Sequence, residues 1–197
     1  MAYSIHYDKT LDHLYNLTKV GLWSDKGSDH SYIELYSEIL EPYRYKAKRV
    51  LEIGMLGGES LRMWEYYFGN ASVHGSDISV HPVGGMANLE PMIAEGGHNI
   101  HILDATNKEQ VDKEFIGMRF DVIIDDASHI LEHQLSIYKS FKPFLAKGSI
   151  YIIEDVDKID EVRGLFEAID SEKKVTIYDR RHIKNRFDDV VVTITDK

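Results

Sequence analysis

The chain of 197 residues contains no cysteine, which excludes disulfide bonds and zinc sites built on thiolates. A chain without disulfides suits a reducing compartment, so we expect a cytoplasmic location. A long apolar run is also missing, since no segment approaches the roughly 18 residues that a membrane-spanning helix needs. The N-terminal sequence MAYSIHYDKT has neither the basic nor the apolar region of a secretory signal peptide.

Basic residues are scarce: 23 Lys and Arg stand against 33 Asp and Glu, and the formal charge is −10. Nucleic acids are bound by clustered Lys and Arg, whereas this chain has only short basic groups such as Arg180-Arg181. We therefore expect no nucleic-acid partner and a neutral or cationic ligand. With 43% hydrophobic residues the chain is too apolar to be disordered, and its length suits one domain.

Seven short segments rich in Val and Ile predict β-strands, and segments with helical periodicity lie between most of them. The predicted strands cover residues 49–54, 72–78, 99–105, 120–126, 149–156, 174–180 and 190–195, and the predicted helices after the first strand cover residues 60–68, 108–115, 130–145 and 159–169. This alternation predicts an α/β fold with a Rossmann-like, doubly wound and mostly parallel sheet.

Two regions break the alternation of strands and helices. The connection from residue 180 to residue 190 is too short for a crossover helix, so we expect an antiparallel pair there. The stretch 81–97 is rich in Gly and Pro and predicts a loop with at most a short helix. Before the first strand, the pattern predicts helices at 8–20 and 31–40. We interpret residues 1–197 as a single domain, in which an N-terminal helical cap (1–45) precedes a Rossmann-like core (46–197).

The first predicted strand leads into a glycine-rich loop with the sequence EIGMLGG at residues 52–58. Glycine permits tight turns and a close approach of the backbone to a ligand. Leu56 stands where the dinucleotide fingerprint GxGxxG needs its second glycine, so that fingerprint is absent. Asp77 and Asp104 end the next two predicted strands, where carboxylates can bind a ribose diol and an adenine amino group. This pattern favours an adenosine-containing ligand over the alternative, in which the glycines only turn the chain and the aspartates only cap helices.

Acidic residues follow the fourth and fifth predicted strands, as DDASH at residues 125–129 and ED at residues 154–155. The carboxyl ends of neighbouring parallel strands meet at one edge of a sheet, so we expect these carboxylates to converge. Converging carboxylates repel one another unless their pKa values rise or a cation neutralises them, and hard oxygen ligands favour Mg²⁺, Ca²⁺ or Mn²⁺. Because side chains alternate along a strand, we choose Asp126 over Asp125 as the ligand. The alternative is a set of solvated loop ends.

His129 follows Asp126 by three residues, at the predicted start of a helix. Its imidazole titrates near neutral pH, which suits it to accept a proton from a hydroxyl group. The alternative is an ordinary surface histidine, since the chain contains ten histidines. We expect His133, four residues further on, to pack or to face solvent.

The sequence E-x-G-x-x-x-G at residues 52–58, followed by Asp77, resembles class I S-adenosylmethionine-dependent methyltransferases. The resemblance implies a seven-stranded sheet in the order 3-2-1-4-5-7-6 with an antiparallel seventh strand, and S-adenosylmethionine as the cofactor. By this resemblance the cofactor-binding residues are Glu52 and Gly54 on the methionine side, Gly58 in the same loop, Asp77 at the ribose, and Asp104 with Ala105 at the adenine.

The acidic segments narrow the resemblance. D-x-S-H at residues 126–129, followed by E-D at 154–155, is similar to the Mg²⁺-dependent O-methyltransferases of macrolide sugars and to bacterial and viral glycan O-methyltransferases. The resemblance implies that Asp126, Glu154 and Asp155 bind Mg²⁺, with Mn²⁺ as a second candidate. It also implies that His129 is the general base and that Asp126 takes part in catalysis.

The turn at residues 24–32, SDKGSDHSY, resembles the T-D-K-x-x-x-H-x-Y element of the same glycan methyltransferases. There the element closes over the cofactor, so the resemblance implies that Lys26, His30 and Tyr32 contact the cofactor. Ser24 replaces the threonine of the pattern but also supplies a hydroxyl group. The alternative for this segment is a plain capped start of a helix.

The resemblance implies an enzyme that methylates a hydroxyl group of a sugar or glycan, using S-adenosylmethionine and Mg²⁺. Two alternatives stay open: a catechol-type or other small-molecule O-methyltransferase, and a non-catalytic S-adenosylmethionine-binding module of a glycan-assembly protein. The expected partner is a sugar or glycan acceptor, and the sequence leaves open whether the chain forms a homo-oligomer.

Overall fold

The computed structural model describes Asp12, Tyr15 and residues 24–79 and 99–197. The predicted helix at 8–20, apart from those two residues, and the predicted loop at 81–97 lie outside the described residues. None of the described helices combines the length and the apolar character that crossing a bilayer requires.

A seven-stranded sheet forms the centre of the described structure. Its strands are β1 (Arg49–Ile53), β2 (Ser72–Asp77), β3 (Asn99–Ile102), β4 (Phe120–Asp125), β5 (Leu145–Ile153), β6 (Lys173–Asp179) and β7 (Val190–Asp196). Their order is β3-β2-β1-β4-β5-β7-β6. The first five strands pair in parallel, and β7 lies antiparallel between β5 and β6. The predicted Rossmann-like sheet, including its order and its antiparallel seventh strand, is confirmed.

Helices cover both faces of this sheet. They are α1 (Asp25–Ser28), α2 (Tyr32–Ile39), α3 (Glu59–Tyr67), α4 (Lys108–Glu114), α5 (Leu131–Phe141), α6 (Ile159–Glu167) and α7 (Arg181–Lys184). Apolar residues of α2 and α3 pack on one face with Val50, and those of α4, α5 and α6 pack on the other with Leu51. Because β1 is covered on both sides, its successive residues Val50 and Leu51 are both apolar rather than alternating with polar ones. The division of the chain at residue 45 stays a prediction.

Several element boundaries differ from the sequence prediction. The helix expected to end at residue 145 ends at Phe141 and is followed by a 3₁₀ turn over residues 142–144. Pro143 explains this, because proline cannot donate the backbone hydrogen bond that a continuing helix needs. Strand β3 ends at Ile102, so Asp104 lies beyond the strand rather than at its end. Its carboxylate accepts hydrogen bonds from the backbone N–H and the hydroxyl of Thr106, which stabilise a turn instead of an extended strand.

A buried polar chain connects β2, β3 and α4 away from the cleft described below. His74 Nδ1 lies 2.9 Å from His101 Nε2, and His101 Nδ1 lies 2.7 Å from Glu114 Oε1. The ring of Phe120 packs edge-on against His74. Burial, and then the positive charges of His101 and Arg49, lower the pKa of His74 to about 4.

The low pKa of His74 predicts that protonation of this residue weakens the fold in mild acid. The unfolded chain protonates this histidine near pH 6.5 and the folded chain near pH 4, so at this site the unfolded state binds more protons between these values. His74 alone should therefore lower the free energy of unfolding on the order of 1 kcal/mol from pH 7 to pH 5, equivalent to roughly 2–4 °C in Tm. Because the raised pKa of Asp125 acts in the opposite direction, this contribution is measured as the difference in the pH dependence of Tm between the wild type and a His74→Asn variant, which lacks it.

The matched control is His182→Asn, which alters an exposed histidine. This variant should keep the pH dependence of the wild-type protein. Identical pH dependence in the wild type and His74→Asn would contradict the assignment to His74.

Candidate functional site

The carboxyl ends of β1 to β4 border a cleft of about 840 Å³, a volume within the usual range for small-molecule sites. The turn that contains α1 closes one side of this cleft. The predicted site residues that line the cleft are Lys26, Gly54, Asp77, Asp104, Ala105, Asp126 and His129. The cleft therefore brings together residues predicted for cofactor binding and residues predicted for catalysis.

Gly54 allows the loop after β1 to approach the loop after β4. Its φ angle is +86°, and a Cβ atom at this position would lie 2.1 Å from the carbonyl oxygen of Asp126. A side chain would therefore force the two loops apart. Gly58 also has a positive φ angle, at the N-terminus of α3, but it does not line the cleft. Its role in cofactor binding stays a prediction.

Asp77 lies at the end of β2, beside the glycine-rich loop, as predicted. Its Oδ2 accepts a hydrogen bond of 3.0 Å from the backbone N–H of Leu56, and its Oδ1 accepts one of 2.7 Å from Ile78. These bonds hold the carboxylate at the cleft wall. Asp104 and Ala105 lie across the cleft in the turn after β3. The positions fit a ribose and an adenine, and the contacts themselves stay predictions.

The ammonium group of Lys26 lies among three carboxylates. Its Nζ is 2.6 Å from Asp126 Oδ2, 2.9 Å from both carboxylate oxygens of Glu154 and 3.2 Å from Glu52 Oε1. Burial alone lowers the pKa of Lys26, but the charges of Asp126, Glu154 and Glu52 outweigh it, and the pKa rises well above its usual value. The lysine is therefore charged and serves as an internal counter-ion.

Glu52 and Glu154 contact Lys26 from below the cleft and do not line it. The hydroxyl of Tyr36 donates a hydrogen bond to Glu154, and the hydroxyl of Ser60 donates one to Glu52. Burial raises the pKa of both carboxyl groups, against the lowering effect of Lys26. The roles of Glu52 in cofactor binding and of Glu154 in metal binding stay predictions.

Asp126 and His129 line the cleft and form a group with the buried Asp155. His129 Nε2 lies 3.0 Å from Asp126 Oδ1, and His129 Nδ1 lies 3.5 Å from Asp155 Oδ2. One ligand atom from each residue lies within 4.8 Å of the others, so among the described residues this group could hold a metal ion. Two carboxylates and an imidazole fit a divalent cation such as Mg²⁺ or Mn²⁺.

The two carboxylates of this group also determine the charge of His129. Burial lowers the pKa of the imidazole, but the hydrogen bond to Asp126 and the charge of Asp155 outweigh it and raise the pKa to about 9. Burial likewise raises the pKa of Asp126, and the charge of Lys26 together with the hydrogen bond from His129 outweighs it, so that the pKa is lowered. Asp126 is therefore ionised and available as a ligand.

Left-handed backbone conformations occur at the cleft-side loops. Leu56, His129 and Asp155 have φ angles of 48°, 55° and 53°, which are uncommon for residues other than glycine. Such strain is found mostly at functional sites, where the surrounding structure holds it in place. The side chain of Asp155 contacts His129, whereas the side chain of Glu154 contacts Lys26.

His30 and Tyr32 support Asp155 from beneath. The hydroxyl of Tyr32 donates a hydrogen bond to Asp155 Oδ1, and His30 Nδ1 lies 3.2 Å from the same oxygen. The two rings stack with centroids 4.7 Å apart. Both residues are buried and neither lines the cleft, so their contact with a cofactor stays a prediction.

Four further residues at the site were missed or misjudged from the sequence. Tyr36 has a recognisable signal, because it lies one helical turn after Tyr32 on the same face of α2. Asp189 accepts hydrogen bonds from Ser31, but no sequence signal indicates this contact, because 158 residues separate the two. Ser60 follows the glycine-rich loop and was not considered. His133 was expected to pack or face solvent, yet it lines the cleft with its Nδ1 2.8 Å from Ser128 Oγ.

Asp126 rather than Asp125 lies in the cleft, as the alternation of side chains along β4 predicts. Asp125 is buried in the sheet, where the hydroxyl of Tyr151 donates a hydrogen bond of 3.1 Å to its Oδ2. Burial raises the pKa of Asp125 to about 7.

Sequence comparison shows relatives among sugar O-methyltransferases, although no protein-family model matches the chain. The 8-demethyl-8-alpha-L-rhamnosyl tetracenomycin-C 2'-O-methyltransferase of Streptomyces olivaceus is 31% identical over 140 residues, which are 68% of this chain and 35% of that protein. The demethylmacrocin O-methyltransferase of Streptomyces fradiae is 31% identical over 152 residues, 73% of this chain and 36% of that protein. The chain thus spans about a third of the length of the curated relatives that it matches.

Solved structures share the fold. The MycE methyltransferase of the mycinamycin pathway, in complex with Mg, SAH and mycinamycin VI, superposes with a TM-score of 0.72 at 22% identity, over 95% of this chain and 54% of that one. A putative O-methyltransferase from Klebsiella pneumoniae has a TM-score of 0.65 at 16% identity, over 98% and 92% of the two chains. The relatives, 31% identical over more than two thirds of this chain, show that it belongs to the class I S-adenosylmethionine-dependent methyltransferases, among which it is similar to sugar O-methyltransferases.

Proposed function

We propose that this protein transfers the methyl group of S-adenosylmethionine to a hydroxyl group of a sugar or glycan, with Mg²⁺ or Mn²⁺ at the site. One observation carries the proposal: a single cleft is lined both by the glycine-rich loop with Asp77 and by Asp126 and His129, which form a candidate metal-binding group with the buried Asp155. The relatives are named for methylation of sugar-bearing compounds, and MycE was solved with Mg and SAH. These names support a sugar acceptor over an aromatic diol.

The cofactor is expected along the carboxyl ends of β1, β2 and β3. Gly54 leaves room for close contact with the backbone, and Asp77 presents its carboxylate at the adjoining wall. Asp104 and Ala105 border the far side, where an adenine would lie. This placement directs the sulfonium end of the cofactor toward Asp126, next to Gly54.

S-adenosylmethionine supplies an electrophilic methyl group, and a divalent cation would lower the pKa of a coordinated hydroxyl group. Asp126 Oδ1 and Asp155 Oδ2 lie beside the two ring nitrogens of His129, and a cation that they hold would orient the acceptor there. The same two carboxylates raise the pKa of His129 to about 9, so without a cation the ring is protonated at neutral pH. A divalent cation held by the carboxylates would offset their charge and lower this pKa, so that the neutral imidazole can accept the hydroxyl proton. Transfer also neutralises the opposite charges of sulfonium and alkoxide, which a partly dry cleft favours.

Methyl transfer to a panel of acceptors tests the proposed function. The protein is incubated with S-adenosylmethionine and Mg²⁺, together with rhamnose- or other hexose-containing glycans and, separately, with catechols. Mass spectrometry should detect a methylated sugar. Methylation of catechols alone would show that the acceptor is an aromatic diol rather than a sugar. Binding of S-adenosylhomocysteine without turnover on any acceptor would favour a non-catalytic binding module.

Chelation should separate cofactor binding from transfer, because the glycine-rich loop and Asp77 bind no metal in this proposal. EDTA should abolish methyl transfer, and added Mg²⁺ or Mn²⁺ should restore it. Calorimetric titration should show that S-adenosylmethionine binds with and without the chelator. The Asp155→Asn variant should behave like the chelated wild-type protein, and full activity in EDTA would defeat the metal assignment.

Replacing His129 should impair the proton transfer while leaving the cofactor-binding residues in place. We expect His129→Ala to lower kcat on the order of 10²-fold, with little change in the affinity for S-adenosylmethionine. The matched control is His133→Ala, which removes a nearby cleft histidine that hydrogen-bonds Ser128 rather than the carboxylates. It should retain kcat within about fivefold of the wild type. Equal losses in both variants would point to the shape of the cleft rather than to a base.

A further inference from the structure

Charged residues are distributed unevenly between the two ends of the sheet. Acidic residues lie at or beyond the carboxyl ends of β2 to β6, around the cleft: Asp77, Asp104, Asp126, Glu154, Asp155 and Asp179. Basic residues lie at or near the opposite, amino ends of β1, β4, β5 and β6: Lys48, Arg49, Arg119, Lys147, Lys173 and Lys174. The acidic residues that the seven strands place at this second end are Asp121 and Asp196. An acidic chain thus has one basic end, and this end lies away from the cleft.

Four exposed cations form the centre of this basic end: Lys46, Lys48, Arg49 and Arg119. They are neighbours because β1 and β4 pair in parallel, and because Asp121 Oδ2 accepts hydrogen bonds of 2.7 and 3.0 Å from the backbone N–H groups of Lys48 and Arg49. Within residues 24–79 and 99–197, no carboxylate forms an ion pair with these four side chains. Their charges therefore stay available to an external anionic partner.

Two exposed tyrosines flank the four cations. Tyr45 is 62% exposed and Tyr66 is 61% exposed. The guanidinium group of Arg44 lies 5.1 Å from the ring centroid of Tyr45 and 5.0 Å from that of Tyr67, which holds the segment before β1 against the end of α3. We refer to Tyr45, Lys46, Lys48, Arg49, Tyr66 and Arg119 as the basic patch.

We infer that the basic patch binds the surface of an anionic lipid bilayer, so that the protein attaches to a membrane without spanning it. Lys and Arg side chains are attracted to anionic headgroups, and tyrosine rings settle at the level of the headgroups because one end of the ring is apolar and the other is polar. The inference goes beyond the proposed methyl transfer and does not depend on it, because the patch and the cleft lie at opposite ends of the sheet.

The distance between the two ends makes this attachment compatible with an acidic protein. Arg49 and Ile53 begin and end β1, and four steps of about 3.3 Å place them roughly 13 Å apart. Charges in solution are screened over about 8 Å at physiological ionic strength. The carboxylates around the cleft therefore do little to repel a flat anionic surface that contacts only the other end.

A nucleic acid fits the patch less well than a bilayer does. Binding to nucleic acids typically draws on about 6–10 phosphate contacts, and the centre of the patch supplies only the cations named above. A bilayer also uses the exposed tyrosines without any need for a groove. The chemistry of the patch therefore favours a lipid surface.

Sedimentation with lipid vesicles tests the inference on the full chain. The wild-type protein should bind vesicles of phosphatidylcholine mixed with phosphatidylglycerol but not vesicles of phosphatidylcholine alone, and added salt should weaken the binding. The Lys46→Gln/Lys48→Gln variant should lose affinity on the order of 25-fold, because each cation at an anionic surface contributes about fivefold. The Tyr45→Ser variant should lose about threefold at low and at high salt, because the contribution of the ring is not screened.

The matched control is Lys108→Gln/Lys158→Gln, which removes the same charge from exposed residues at the cleft end. It should bind anionic vesicles within about twofold of the wild type. Circular dichroism and Tm identify the variants that keep the fold, and Tyr45→Ser keeps the inference testable if the double lysine variant unfolds.

Four results would overturn the inference. They are absence of vesicle binding by the wild type, equal binding to vesicles with and without phosphatidylglycerol, equal losses in the two double lysine variants, and binding of single-stranded RNA as tightly as anionic vesicles at the same phosphate concentration. The last result would assign the patch to a nucleic acid. None of these measurements requires turnover, so their failure would leave the proposed methyl transfer untouched.

Discussion

The site depends on one buried ammonium group, that of Lys26, which lies among carboxylates from the ends of three neighbouring strands. Glu52 lies near the end of β1, Asp126 follows β4 and Glu154 follows β5, and these strands are adjacent in the sheet. Three carboxylates so close together would repel one another in a poorly solvated region. The lysine compensates part of this charge, and the hydroxyl groups of Tyr36 and Ser60 satisfy further oxygens. The acidic edge of the sheet can therefore exist before any cation binds.

The lysine reaches this position because distant parts of the chain hold its turn. Lys184 and Asp189 lie in the connection between β6 and β7 and bind the backbone and side chains of residues 27–31. The antiparallel insertion of β7 beside β5 brings this connection next to the acidic edge. The antiparallel end of the sheet therefore anchors the turn that carries Lys26.

The strand pattern predicted a mostly parallel sheet and the position of the cleft, because parallel strands with short connections have few possible arrangements, and the resemblance to methyltransferases implied the strand order. Alternation along β4 indicated that only one of Asp125 and Asp126 faces the cleft, and the position of Asp126 nearer the loop selected it. The same reasoning could not separate Glu154 from Asp155, since their directions depend on the left-handed backbone at Asp155 and on partners far away in sequence. The sequence prediction extended the third strand to residue 105, although the hydrogen bonds from Thr106 to Asp104, two residues apart, are a local turn signal that could have ended the strand earlier.

The proposed reaction requires the methyl donor and the acceptor hydroxyl to be aligned within about 3–3.5 Å, which demands that the cofactor loop and the acidic loop be neighbours. The sheet order provides this, because β1 and β4 are adjacent at the point where the order of the strands reverses. Gly54 then sets the separation, since a Cβ atom there would collide with the carbonyl oxygen of Asp126. The residue that gives a cofactor access to the backbone therefore also controls the distance between the donor and acceptor sites.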